Sequence, residues 1–317
     1  MTQALLVLWI LCAIFIILEN RIYRVIIYFG IFSLITSLAY LLLGAPDVAM
    51  AEAAISAFCT IFFIICIEKY YSSRDNVKKE EERGSKKHLF RGFVKLLPPL
   101  ALCAGLFVLF VYFIPDSPMS TYLKYQYLMR FMQDVGGENA VTAIYLGYRV
   151  YDTLFEALIL VISVVAVSHM SYYEASQVKD GKHSEIENSG MAIFTMRLIC
   201  PIIIIFGAYL IMNGHISAGG GFQGGLAVAT FFICRYLIYD IYDIPVNKVI
   251  KLEEIVFISI IIVTAFAVFL GAAAYMPTAF LPFYHNIYLI IMNVLIGMKV
   301  ACGFFVLFYR YIAIERR

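Results

Sequence analysis

Residues 213–225 read N-G-H-I-S-A-G-G-G-F-Q-G-G, from Asn213 to Gly225. Long apolar segments, 196–212 and 226–237, flank this stretch on both sides. Gly214, Gly219, Gly220, Gly221, Gly224, Gly225 and His215 are therefore expected where a membrane protein meets or enters the bilayer. Non-helical backbone at that depth is tolerated only where protein buries it or water lines it. Glycines there permit close approach of backbone or helix faces, so the rest of the chain must supply a helical membrane context.

The composition supplies it. The 317 residues are 62% hydrophobic and only 15% charged, with a mean hydropathy of +0.86, which excludes an ordinary soluble domain. The solvent is the lipid bilayer, and nothing points to nucleic acid. A span needs ~20 mostly apolar residues, and nine stretches qualify: 3–18, 22–43, 48–68, 97–114, 152–170, 196–213, 219–239, 254–274 and 288–312. The expected fold is all-α and polytopic. Lys and Arg crowd the segment from Lys69 to Lys95, so the positive-inside rule makes that loop cytoplasmic. Alternation then puts the amino terminus outside and the carboxyl terminus in the cytoplasm. Pro115–Glu138, with Lys124 and Arg130, is the loop that runs against the rule. Met1-Thr2-Gln3 leads into the first span without a basic region or small-residue cleavage site, so that span is expected to be retained.

Charged segments at 71–95 and 171–190 read as cytoplasmic linkers separating blocks 1–70, 96–170 and 191–317. Tyr122–Met132 mixes aromatics with Lys and Arg, the pattern of a helix lying in the interface. Asn139–Val150 is too short to span and is expected to be a half-helix along or into the bilayer. The seven cysteines show no C-x-x-C pair or other metal spacing and read as small buried hydrophobes. Haem, flavin, nucleotide and hydrolase motifs are missing too. The chain is therefore expected to hold no cofactor, and electrons in any redox system to belong to other subunits.

An ionisable side chain within hydrocarbon is a functional hypothesis by default. Asp47, after Pro46, either caps a helix amino terminus or joins an ion path. Glu52 lies a turn deeper, where a relay role is harder to set aside. Arg149, Asp152 and Glu156 are spaced three and four apart, so one continuous helix would put them on one face. That cluster could hold a proton or a cation, or Arg149 could brace Asp152. Lys299, midway along the last span, is either a titrating group or the counter-charge to a carboxylate elsewhere, and Asn293 is a candidate interhelical hydrogen-bond partner. His215 could exchange protons at an outer mouth or bond exposed carbonyls. Glu253 and Glu254 read as favourable charges opening the eighth span. His88, His169, His183 and His285 are assigned no role, and Arg24, Glu68, Arg197 and Arg235 read as snorkelling anchors.

These residues resemble a known family. G-H-I-S-A-G-G-G-F-Q-G-G, with Arg197 and Pro201 upstream, is similar to the signature of the B-type component of Mrp-type sodium/proton antiporters. G-A-P-D-V-A-M-A-E-A-A-I, at 44–55, resembles the G-A-P-D motif in the carboxyl-terminal part of the large A-type Mrp component and in the small D-type component of membrane-bound energy-converting hydrogenases. N-A-V-T-A-I-Y-L-G-Y-R-V-Y-D-T-L-F-E, at 139–156, resembles the stretch that follows it, equivalent to the hydrogenase's E-type component. Block 191–317 corresponds to the B-type Mrp component, or the hydrogenase's F-type one. The resemblance implies a fused accessory subunit working beside antiporter-like subunits in a prokaryotic cell membrane, with an antiport cycle or an attached redox arm as driver. It assigns motif positions to Asp47, Arg149, Asp152, Glu156 and His215, and implies sodium or protons as the transported ions. Three departures stand out: Gly147 for an aspartate, Phe155 for a glycine and Ala218 for a proline. Glu52 resembles the hydrogenase version of its motif, which favours a redox-linked complex over a stand-alone antiporter; a purely structural adaptor is the other alternative.

Overall fold

The computed structural model describes residues 2–19, 21–71, 118–175, 190–239, 246–272 and 281–313. Their regular structure is helical: α1 (Thr2–Leu18), α2 (Ile22–Leu42), α3 (Pro46–Tyr71), α4 (Pro118–Asp134), α5 (Ala140–Ala143), a π-helical turn (Ile144–Tyr148), α6 (Val150–Ala175), α7 (Gly190–Asn213), α8 (Gly221–Tyr239), α9 (Val246–Ala272) and α10 (Leu281–Ala313). Six of the described stretches are long and apolar enough to cross a membrane: 22–42, 46–64, 150–170, 194–213, 246–269 and 286–310. The protein is thus a polytopic helical membrane protein. In α1 the apolar stretch Leu8–Leu18 is shorter, and α8 occupies the expected 219–239 region. The expected span 97–114, residues 72–95 of the first linker and residues 176–189 of the second lie outside the described residues, while 171–175, expected in the second linker, continue α6.

One boundary corrects the sequence reading. The eighth span, expected to open at 254, begins at Val246. Its first turn has no acidic residue, and Glu253 sits about two turns inside the helix at ~3.6 residues per turn. Charge near 248–254 suggested a helix end, but Asn247, Lys248 and Lys251 are compatible with a helix that simply starts earlier.

The chain divides into two compact units, residues 1–44 with 59–126 and residues 45–58 with 127–317. In the first, α1 and α2 pack together: Trp9 Nε1 donates to Thr36 Oγ1 at 2.8 Å and the indole stacks on Phe32 with centroids 5.0 Å apart. Gly30 of α2 instead faces the part of α3 in the same unit, since a Cβ there would stand 2.9 Å from Thr60 Oγ1.

In the second unit α10 is the core. In the 286–310 window 61% of residues are buried, against 11–22% in the other five candidate spans. Leu289, Met292, Val300 and Val306 are buried along it. Toward its carboxyl end Phe305 meets Phe232 of α8 with ring centroids 5.4 Å apart, and Val164 of α6 and Val246 of α9 join the same cluster. The other helices keep broad apolar faces outward, as a lipid or subunit-facing surface requires.

Candidate functional site

The glycine-rich stretch is a break between helices. Helix α7 ends at Asn213, and a turn follows in which Ile216 N and Ser217 N both donate to the Asn213 carbonyl at 3.0 Å. Gly219 and Gly220 then adopt φ values of +151° and +149°, a conformation open in practice only to glycine. Helix α8 starts at Gly221.

Asn139 ties this loop to two other segments. Its Oδ1 accepts from Val141 N at 2.9 Å, the N-cap bond of α5. Its Nδ2 faces three acceptors, Asp47 Oδ1 at 3.0 Å, the Gly214 carbonyl at 3.2 Å and the Ser217 carbonyl at 2.9 Å. An amide has only two such hydrogens, so they are shared. Asp47 Oδ1 also accepts from Gly219 N at 3.2 Å, and Thr142 Oγ1 donates to the Gly214 carbonyl at 2.6 Å. Asp47, expected to cap its own helix or line a path, thus joins the start of α3 to the loop and to α5. The His215 carbonyl accepts from Glu138 N and Asn139 N at 2.9 and 3.1 Å. Its ring Nδ1 lies 3.1 Å from the Met212 carbonyl; a carbonyl only accepts, so Nδ1 carries the proton in this contact.

Next to this corner, Asn293 of α10 gathers a second set of bonds. Its Oδ1 accepts from Tyr145 Oη at 2.8 Å and Gly221 N at 3.1 Å. Burial pushes the Tyr145 phenol up to about 12, so it remains a donor at any physiological pH. Tyr145 lies in the π-helical turn, a feature that recurs at functional sites. Asn293 is wholly buried, and its Nδ2 has no hydrogen-bond partner.

The remaining glycines set helix separation. A Cβ on Gly221 would stand 2.5 Å from the Asn293 carbonyl, one on Gly225 2.5 Å from the Gly297 carbonyl, and one on Gly224 2.6 Å from the Gly207 carbonyl. On Gly214 it would meet Gly220 Cα at 2.7 Å. Helices α7, α8 and α10 therefore pack backbone to backbone through these positions. At Gly147 any side chain would run into Val135.

A different buried cluster lies further along α10. Lys299 Nζ contacts Glu253 Oε1 directly, with the two residues 1% and 3% exposed. Phe257 lies 5.7 Å from the ammonium, measured to its ring centroid. Lys299 is thus the counter-charge of an α9 carboxylate. Six residues at ~100° each separate Asn293 from Lys299, so the two clusters use different faces of α10. The third group is on the surface. Arg149 and Asp152 form an ion pair with side chains 63% and 51% exposed, and Arg149 is the non-helical junction between the π-turn and α6, with φ −119° and ψ 34°. Glu156 follows one turn on and is also exposed, while Glu52 is half-buried in α3. Sequence reasoning does not single out Asn139, Thr142 or Tyr145, and it reads Glu253 only as a charge opening the eighth span. The signal for Asn139 was its place opening the 139–156 motif; for Glu253 it was Lys299, since a buried ammonium demands a buried carboxylate.

Comparison with known proteins places these features. Residues 191–306 match the family described as "Domain related to MnhB subunit of Na+/H+ antiporter", and residues 7–71 match the MbhD family, the D-type component of MBH. A Rhizobium meliloti protein described as a probable K(+)/H(+) antiporter A/B subunit is 25% identical over 260 residues, covering 74% of this chain and 26% of that protein. An uncharacterized protein of Methanocaldococcus jannaschii is 30% identical over 115 residues, 32% of this chain and 44% of that one. The chain thus corresponds to about a quarter of the first relative and under half of the second. In the structure of the Mrp complex from Dietzia sp. DQ12-45-1b, one chain superposes with a TM-score of 0.69 at 17% identity, over 99% of this chain and 35% of that chain; this is a likeness of fold. The chain thus carries an MbhD-like amino-terminal segment followed by an MnhB-related domain, and over about three quarters of its length it is similar to a probable antiporter A/B subunit.

Proposed function

We propose that this chain is a non-redox membrane subunit of an Mrp-type module and forms part of its sodium or proton pathway. It spans nine times, with its amino terminus outside and carboxyl terminus in the cytoplasm, and blocks 1–70, 96–170 and 191–317 act as fused counterparts of separate subunits. Its partners are antiporter-like membrane subunits and, following the hydrogenase-like form of the Glu52 motif, the redox arm of an energy-converting hydrogenase or related ferredoxin-linked complex. It carries no cofactor of its own. The monovalent cation and proton named for the matched family and the Rhizobium relative support this ion class.

The observation that carries the reading is the burial of hydrogen-bonding and charged groups inside an apolar bundle: Asp47, Asn139, Thr142, Asn293, Glu253 and Lys299. Such groups are expensive in hydrocarbon and mark ion routes when they occur. Glu156, exposed one turn from the Arg149–Asp152 pair, supplies a carboxylate for a route along the outer face of α6. Sodium-dependent transport by the reconstituted complex carrying Glu156→Gln tests it: flux and sodium affinity should fall, and unchanged values would remove Glu156 from the path. A structural adaptor is favoured locally by one observation, that Asp47 and Arg149 are already held by partners within the chain. Under that reading the same substitution weakens assembly and leaves the transport of surviving complexes intact.

A further inference from the structure

The Lys299–Glu253 pair is buried, yet it is not sealed. It lines a cleft of about 600 Å³ between α6, α9 and α10, and a water occupies only ~30 Å³ in the liquid. The walls are largely apolar, with Val165 and Ile258 among them, while Ser168, His169, Glu254 and Arg310 join the pair as polar lining. His169 and Glu254 are exposed at the surface of the chain, and Arg310 Nε is buried with no hydrogen-bond partner. A static brace would be packed on every side. Here two opposite charges at the bottom of a cleft meet exchangeable groups at its edge.

The chemistry of the pair selects its ligand. The Lys299 ammonium already occupies the place beside Glu253 where a monovalent metal ion would bind, so the intact pair excludes sodium. What it can exchange is a proton. A proton leaving hydronium, which is left as water, adds to Glu253 as an O–H bond and raises the net charge of the pair from zero to +1; its return to water restores the ion pair. The exposed imidazole of His169, at the edge of the same cleft, carries the exchangeable N–H suited to deliver the proton. Besides the pair itself, the charged or titratable groups that line the cleft or act on Lys299 are His169 on α6, Glu254 on α9, and Cys302 and Arg310 on α10. The buried residues of α8, on another side of α10, are Leu226, Ala229, Thr230, Ile233 and Cys234, none of them charged. We infer that Lys299–Glu253 is a proton-binding site, loaded through this hydrated cleft by way of His169 and Glu254. This deepens the ion-path reading above and rests on it. The cleft lies toward the carboxyl end of α10, the end that the positive charge of the loops assigns to the cytoplasm.

The test uses the whole complex in proteoliposomes, with two readouts. A Ser168→Cys variant in a cysteine-free background should react with a membrane-impermeant cationic methanethiosulfonate added from the cytoplasmic side. Protection from that reagent together with reaction with a lipophilic maleimide would mean that lipid fills the cleft, and would overturn the proposal. Infrared difference spectra across a pH titration should contain a protonated-carboxyl band that Glu253→Gln removes, and Glu253→Gln should slow proton flux about ten-fold or more. A spectrum unaltered by Glu253→Gln overturns the assignment. Should that variant fail to assemble, Glu253→Asp keeps the charge and must shift the band and slow flux; no change again overturns it. If Glu156→Gln impairs transport while Glu253→Gln does not, the proton-site inference fails and the wider reading stands. If neither matters, both fail.

Discussion

Asn139→Asp is the most informative substitution at the loop corner, because an aspartate preserves the N-cap of α5 and alters little but charge. The amide that now donates to Asp47 Oδ1 at 3.0 Å becomes an oxygen facing an oxygen. Two full charges at that distance repel by about 5 kcal/mol at an effective dielectric constant of ~20. The corner can escape by holding one proton between the two carboxyls, and this limits the loss. Keeping a carboxyl of ordinary pKa near ~3.9 protonated at pH 7 costs about 4 kcal/mol, at 1.36 kcal/mol per unit, and about 1.5 kcal/mol at pH 5. The sign follows from proton counting: the folded variant holds a proton that the unfolded chain releases, so its stability is present at low pH and is lost as pH rises. Asn139→Ala removes the cap, at about 0.5–2 kcal/mol, and one partner of Asp47, with far weaker pH dependence. Unfolding of the reconstituted protein in bicelles at pH 5 and pH 7 reads the difference. An Asn139→Asp variant as stable as wild type at pH 7, or equally destabilised at both values, would refute this account of the corner.

Three further outcomes follow from the packing. Gly225→Ala, whose new Cβ would stand 2.5 Å from the Gly297 carbonyl, should destabilise by about 1–3 kcal/mol as α8 and α10 are forced apart, seen as a lower melting temperature of the complex. Lys299→Met alone leaves the Glu253 carboxylate buried and should cost about 3–5 kcal/mol, whereas Lys299→Met with Glu253→Leu should be near neutral; additive losses in unfolding experiments would contradict a direct pair. Gly147→Asp should destabilise by more than about 1 kcal/mol because Val135 fills its space, and Val135→Ala should relieve part of that loss.

The helical membrane fold was legible because a bilayer imposes long apolar runs, and the break at 213–225 because glycine clusters are rare between such runs. The loop's partners were not legible. Asn139 and Asp47 are 92 residues apart in sequence, and no local pattern shows that one amide serves a helix cap, a carboxylate and two carbonyls together. Glu253 was misread because charge near a helix start has an ordinary explanation, and only the earlier start of α9 moves it inside. Asp152 and Glu156 could be placed on one face of α6 from spacing alone, since i, i+4 geometry is local, whereas Arg149 lies before the helix starts and reaches Asp152 from a non-helical junction. Whether that face looks inward or outward depends on how α6 packs, and it looks outward.

The central claim, that the buried polar groups serve ion passage as well as helix packing, is tested most directly by Tyr145→Phe. This change removes one hydroxyl, the donor to Asn293 Oδ1 at 2.8 Å, and leaves the ring in place. Proton flux through proteoliposomes of the complex, normalised to assembled complex, should fall about ten-fold with assembly unchanged. Flux equal to wild type from fully assembled complexes would contradict the claim.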